Sequence, residues 1–174
     1  MTDEIKTNEK KLLSFEERGI SPKIALISIT AALYIALGYI FQPISFLGLQ
    51  FRIAELIVGM CVIFPIEGLI GNVIGVFFVN LTSPLGLIDL ISCIVNIPAL
   101  YCIVYFRNRK YLKYLGGFLY AIIISLYVAI ILNIVHSLPI WLMFLQVFVA
   151  ELILAEIGIL LFDLIKKRIN LNFH

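Results

Sequence analysis

The sequence predicts an all-α integral membrane protein: a bundle of six transmembrane helices with both termini cytoplasmic. Three observations carry this reading. Of 174 residues, 62% are hydrophobic and only 14% charged, against about 45–50% and about 25% in soluble domains, and mean hydropathy is +1.08. The apolar residues fall into runs separated by turn signals, and at ~20 residues per span the chain holds about five to seven spans and no further soluble domain. The basic residues gather at the two ends and in one loop. A water-soluble domain, a disordered tail protein and a disulfide-stapled secreted module are excluded. The formal charge of +2 is too small to suggest nucleic acid.

The elements follow in chain order. The first 23 residues carry ten charges of both signs and nothing like a secretory signal. Leu12, Leu13, Phe15 and Ile20 fit either a short interfacial helix or a solvated tail. Residues 1–22 are thus a cytoplasmic tail, 23–168 the membrane domain and 169–174 a second tail. The first apolar run covers residues 24–41, and a loop with Pro43, Gly48 and Gln50 covers 42–52. Residues 53–64 form a short run ended by Pro65-Ile66-Glu67-Gly68, because Pro and Gly break helices. Residues 69–81 follow, then a turn at Thr82-Ser83-Pro84-Leu85-Gly86, then a full-length span at 87–106. A basic loop covers 107–113, the fifth span 115–135, a break His136-Ser137-Leu138-Pro139, and the sixth span 140–165.

Residues 53–81 read either as two short spans or as one bent helix, since twelve residues cover only ~18 Å. Charge decides. Lys and Arg concentrate in cytoplasmic loops, and both chain ends are basic, so the span number is even. With six spans, 12 of the 13 Lys and Arg residues fall inside and only Arg52 falls outside. Tyr101, Tyr105, Tyr111 and Tyr114 flank the inner basic loop, and Trp141 sits near the outer boundary.

Ionisable side chains within apolar spans are expensive and usually functional. Arg52 and Glu55 are three apart and can pair on one helix face. Asp89 opens the fourth span, where a helix dipole also favours it. Asn72 and Asn80 return to nearly the same face, Asn72 suiting an interhelical hydrogen bond. Asn133 and His136 end the fifth span, while Gln146, Glu151 and Glu156 lie along the sixth. In this topology Gln50, Arg52, Glu55, Asn80, Asp89, Asn133, His136 and Trp141 lie toward the outer face, and Glu151 lies mid-membrane. This suggests a polar pocket open to the outside. Cys61, Cys93 and Cys102 lie in apolar runs with no CxxC pair and read as packing residues.

No metal site, catalytic set or GxxxxGK[ST] loop is present in the sequence. No cofactor is expected, and any ATP hydrolysis belongs to another chain. Ser28, Ala32 and Ala36 form a stripe of small residues on the first span, and Gly71 and Gly75 repeat the spacing on the third. Such faces let membrane helices pack closely, within the chain or against a partner subunit.

The stretch Pro43-Ile44-Ser45-Phe46, then Gln50-Phe51-Arg52-Ile53-Ala54-Glu55, then Asn80-Leu81-Thr82-Ser83-Pro84-Leu85-Gly86-Leu87-Ile88-Asp89 resembles the QueT family. These are substrate-binding (S) components of energy-coupling-factor (ECF) transporters, associated with queuosine precursors. The likeness is strongest over residues 25–89. After Asp89 the chain departs from the family's Gly-, Ala- and Thr-rich pattern, with Asn96 and Pro98 in a run from Ile91 onward.

The resemblance implies a multi-pass plasma-membrane importer subunit that captures a 7-deazaguanine base from outside. Its partners would be an ECF transmembrane coupling subunit and two ATPase subunits, docked through Ser28, Ala32 and Ala36. Transport would proceed by toppling of the subunit in the membrane. Glu55, Asp89 and Glu151 would supply carboxylates to the base's N–H donors or ammonium arm. Gln50, Asn80 and Arg52 would serve its carbonyl, Phe46 or Trp141 would stack on its ring, and the 42–52 loop would close over it. The alternatives are an S component for another vitamin, such as a flavin, thiamine or pantothenate, a stand-alone proton-coupled permease using Glu151 and Glu156, and a non-transporting scaffold.

Overall fold

The computed structural model describes residues 19–46, 51–109 and 111–171, all helix or connecting turn with no strand among them. Gln50, the segment holding Leu12, Leu13 and Phe15, and the last three residues lie outside the described residues. Helix α1 spans Ile20–Ile40, and a short α2 at Gln42–Phe46 occupies the start of the expected loop. A 3-10 segment at Ile53–Gly59 runs into α3 (Met60–Ile63), and α4 spans Pro65–Asn80. A second 3-10 segment at Gly86–Ile91 runs into α5 (Ser92–Phe106), followed by α6 (Leu112–His136) and α7 (Ile140–Leu171). Ile20–Ile40, Gly86–Phe106 and Leu112–His136 are each long and apolar enough to cross a membrane, while Ile53–Ile63 and Pro65–Asn80 are shorter apolar helices.

The stretch from 53 to 80 is two antiparallel helices rather than one bent one. Asn72 Nδ2 donates to the Ile57 carbonyl at 3.3 Å, and Gly68 stands against the backbone of Met60 and Cys61. Both pairings centre on the turn at Phe64 and Pro65, as a hairpin requires. Phe64 leaves the helical region (φ −121°, ψ 86°), and Pro65 starts α4 at a position where its missing N–H costs nothing. The 3-10 stretch rises ~2.0 Å per residue instead of ~1.5 Å, which lengthens the short first arm.

The bundle is apolar on its surface, and its apolar core encloses a set of polar side chains. Ile29, Leu33, Ile70, Phe78, Ile94, Leu126, Leu145 and Ile157 are exposed on its surface, whereas Arg52, Glu55, Asn72, Asn80, Asp89, Asn96 and Glu151 are buried. Helices that meet hydrocarbon withdraw their polar side chains in this way, because lipid offers them no partner.

Glycines bring the helices together. A Cβ at Gly71 or Gly75 of α4 would stand 2.6 Å from Thr30 Cβ or Tyr34 Cβ of α1. The small-residue spacing of the third run therefore packs within the chain. Gly59 and Gly158 face each other where the first 3-10 segment crosses α7, and a side chain on either would meet the opposing carbonyls. In the turn before α5, Gly86 has φ +76°, a conformation that glycine adopts without strain.

Two helix boundaries differ from the sequence expectation. Lys113, placed in the basic loop, sits in the first turn of α6, and α7 continues to Leu171. The reason is an ion pair: Lys113 Nζ stands 2.6 Å from Asp163 Oδ2, with Lys167 Nζ 2.9 Å from the same oxygen. Lys113 is 5% exposed, so its helix start is tied to the end of α7.

Gly158→Val is expected to destabilise the fold by about 1–3 kcal/mol, the usual cost of overpacking a close contact. A lowered unfolding midpoint of the detergent-purified protein checks this. An unchanged midpoint would mean that the 3-10 segment and α7 do not touch there.

Candidate functional site

The polar side chains of the interior meet at one centre, supplied by α1, both 3-10 segments, α4, α5, α6 and α7. Arg52 precedes the first 3-10 segment, and its Nη2 lies 3.5 Å from Asp89 Oδ2 in the second. Both residues are buried, at 6% and 1% exposure. The sequence spacing allowed Arg52 to pair with Glu55 three residues on. Instead, Glu55 accepts the Tyr34 hydroxyl on Oε1 at 2.6 Å and the Tyr120 hydroxyl on Oε2. A carboxylate has about four acceptor positions, so Glu55 retains capacity for further donors.

Asn80 and Asp89 are joined across the turn between them. Asn80 Nδ2 donates to the Asp89 carbonyl at 3.2 Å and to Ser92 Oγ at 2.6 Å. The Ser92 hydroxyl returns to the Asp89 carbonyl at 2.6 Å. These bonds lock the backbone that aims Asp89 at Arg52. Asn96 Nδ2 donates to the Ser92 carbonyl at 3.1 Å, and its Oδ1 lies 3.3 Å from the Tyr120 hydroxyl. The departure from the family pattern after Asp89 thus puts Asn96 at the edge of the centre.

Glu151 of α7 is 1% exposed and lies within electrostatic reach of Glu55 and Arg52. Neither of its oxygens has a hydrogen-bond partner among the described residues. Beside the centre is a small recess lined by Tyr34, Gly38, Ser45, Arg52, Ala54, Val79 and Asn80. The recess is far smaller than the ~300–1,000 Å³ of usual small-molecule sites, so a bicyclic ligand needs the elements around it to move apart.

The structure therefore gathers Arg52, Glu55, Asn80, Asp89 and Glu151. Trp141 stands apart at the start of α7, 76% exposed and edge-on to Phe144 at 6.4 Å between ring centroids. His136 is exposed, and Asn133 Nδ2 closes the end of α6 by donating to the Leu138 carbonyl at 2.8 Å. Glu156 is half-buried beside Gly117, further along α7. Ser28, Ala32 and Ala36 are all exposed on α1, on the face opposite the buried Thr30, Tyr34 and Gly38. The residues that sequence reasoning missed are Tyr34 and Tyr120. Both lie in apolar runs, where a tyrosine reads as packing, and only their partner Glu55 signals their role.

Apolar-surfaced helices around a buried, partly unsatisfied polar centre define an integral membrane protein. The chain matches the QueT transporter family over residues 24–167, most of its length, and belongs to it. Comparison with curated proteins and with solved structures gave no match.

Tyr120→Phe is expected to destabilise the protein by about 1–3 kcal/mol, because it removes a donor from a buried carboxylate. Tyr127→Phe, whose half-buried hydroxyl meets the Ile88 carbonyl at 3.1 Å, is expected to cost about 0.5–1.5 kcal/mol. Thermal unfolding of both variants checks the order. An equal or reversed loss would contradict the role given to the Glu55 clamp.

Proposed function

We propose that this protein is the substrate-binding membrane subunit of an energy-coupling-factor importer, and that it captures a queuosine precursor, a 7-deazaguanine base, at the Glu55 and Asp89 centre. The observation that carries this reading, beside membership of the QueT transporter family, is the buried set of carboxylates, guanidinium and amide, of which Arg52 and Asn80 line the recess. A deazaguanine presents adjacent N–H donors on one edge and a carbonyl acceptor beside them. Glu55 and Asp89 accept from the donors, and Arg52 and Asn80 serve the carbonyl. Gln50 belongs to the loop that closes over the ligand. Phe46 or Trp141 stacks on the ring; the exposed place of Trp141 requires movement for this.

In this reading the chain crosses the plasma membrane six times with both termini cytoplasmic. The antiparallel pair between 53 and 80 counts as two spans, which keeps the basic ends on one side. The exposed stripe of Ser28, Ala32 and Ala36 is the docking face for the transmembrane coupling subunit, since small residues allow close helix contact. Two ATPase subunits drive toppling of the bound subunit. A stand-alone proton-coupled permease is the second reading. It is favoured by Glu151 and Glu156, both on α7 with buried carboxylate oxygens that lack partners among the described residues. Uptake that continues without coupling and ATPase subunits would select it.

Glu55→Gln and Asp89→Asn are each expected to weaken binding of a deazaguanine at least about tenfold, the loss of a charge-assisted hydrogen bond. Calorimetric titration of the purified variants checks this, and unchanged affinity in both removes these residues from the site. Ala32→Leu is expected to bind ligand normally yet fail to transport in vesicles holding the partner subunits. Transport by that variant would show that the stripe is not the docking face.

A further inference from the structure

Each oxygen of Glu55 holds a tyrosine hydroxyl, but the two tyrosines are held differently. The Tyr34 hydroxyl donates to Glu55 Oε1 at 2.6 Å. The Tyr120 hydroxyl stands on Glu55 Oε2 and also lies 3.3 Å from Asn96 Oδ1. A phenol carries one proton, so Tyr120 has two acceptors for a single donor. The amide of Asn96 is oriented for this. Its Nδ2 donates to the Ser92 carbonyl at 3.1 Å, which leaves Oδ1, the accepting end, toward Tyr120. Ser92 is itself fixed, accepting from Asn80 Nδ2 and donating to the Asp89 carbonyl, both at 2.6 Å. Tyr120 and Asn96 are 0% and 2% exposed, so their contact is shielded from bulk solvent.

We propose that Asn96 is a positioning residue for ligand binding: it is the second acceptor onto which the Tyr120 hydroxyl turns when the N–H donors of a ligand take Glu55. This rests on the function proposed above, in which those donors meet Glu55. A carboxylate that holds two hydroxyls is a weaker acceptor than one that holds one, because each donor draws on the same charge. Release of Tyr120 therefore strengthens the bond that Glu55 offers a ligand. A buried hydroxyl without an acceptor is costly, so the release depends on another acceptor within reach. Asn96 Oδ1 supplies it from α5, and the change is a turn of the O–H bond about the Tyr120 C–O axis. The proton stays on Tyr120 throughout; only its acceptor changes. Tyr34 keeps its bond to Oε1.

The test is a double-mutant cycle on the detergent-purified protein: wild type, Asn96→Leu, Tyr120→Phe and the two combined. Each is titrated calorimetrically with 7-aminomethyl-7-deazaguanine, and each is unfolded thermally without ligand. Asn96→Leu leaves Tyr120 on Glu55, so its unfolding midpoint is expected near that of the wild type, while its affinity falls at least about tenfold. Asn96→Ala, which removes the same acceptor with less bulk, takes its place if the leucine variant does not fold. Tyr120→Phe is expected to lower the unfolding midpoint yet bind the probe severalfold more tightly, because Glu55 Oε2 is already released. In the Tyr120→Phe background Asn96→Leu is expected to have no further effect on affinity. Stability and affinity thus move in opposite directions, which a purely structural role of the pair would not produce. Wild-type affinity in Asn96→Leu overturns the proposal. So does an equal loss in both backgrounds, which would mean that Asn96 acts on the ligand without Tyr120. Weaker binding by Tyr120→Phe overturns it too, because the hydroxyl would then be kept on Glu55 in the bound state. In these three outcomes the wild type still binds the probe and the proposed function stands. No binding by the wild type overturns both.

Discussion

The constraint on which the rest depends is the burial of Glu55. A carboxylate enclosed in an apolar bundle has to be given donors, and here they come from two helices far apart in the chain. Tyr34 brings α1 to it and Tyr120 brings α6. The first 3-10 segment carries Glu55 between them, and that segment lies on α7 through the Gly59 and Gly158 contact. One side chain therefore fixes the relative positions of four elements. The neighbouring pair of Arg52 and Asp89 adds the second 3-10 segment, held in turn by Asn80 and Ser92. Polar groups in this fold act as connectors set within a buried apolar core, while further apolar side chains face outward.

Helix α1 has two differently built faces. Its inner face holds Thr30 and Tyr34 against the glycines of α4, and Tyr34 reaches the centre of the bundle. Its outer face presents Ser28, Ala32 and Ala36. In the proposed reading, a ligand that draws on Glu55 acts through the Tyr34 hydrogen bond on the helix whose other face is exposed. The opposite end of the molecule is built differently. There Lys113, Asp163 and Lys167 form an ion cluster that ties α6 to α7 and takes no part in the recess.

Much of the fold was legible in the sequence because membrane helices write themselves as apolar runs broken by Pro, Gly and charge. The breaks at Pro65, Gly86, Arg107 and Pro139 all separate helices in the structure. Arg52, Glu55, Asp89 and Glu151 stood out for their chemistry alone, since ionisable groups are rare in such runs. Their pairing was not legible. Spacing within one helix allowed Arg52 to pair with Glu55, but partner choice depends on tertiary packing, which put Asp89 opposite Arg52 and two tyrosines on Glu55. Those tyrosines were hidden because Tyr34 and Tyr120 fit an apolar helix equally well as packing residues. Lys113 was read as part of a loop because its partner, Asp163, lies fifty residues on. Trp141 was grouped with the site by depth alone, and depth says nothing about which way a side chain faces around the bundle.

The most direct measurement is thermal unfolding of the purified wild-type protein against deazaguanines, queuine, guanine and water-soluble vitamins. A ligand that binds only the native state stabilises it by RT ln(1 + [L]/Kd), ~2.7 kcal/mol at ~100-fold excess over Kd. The account predicts stabilisation by a deazaguanine and none by guanine or the vitamins. Stabilisation by a different vitamin alone would contradict it, because the buried centre would then be built for another ring.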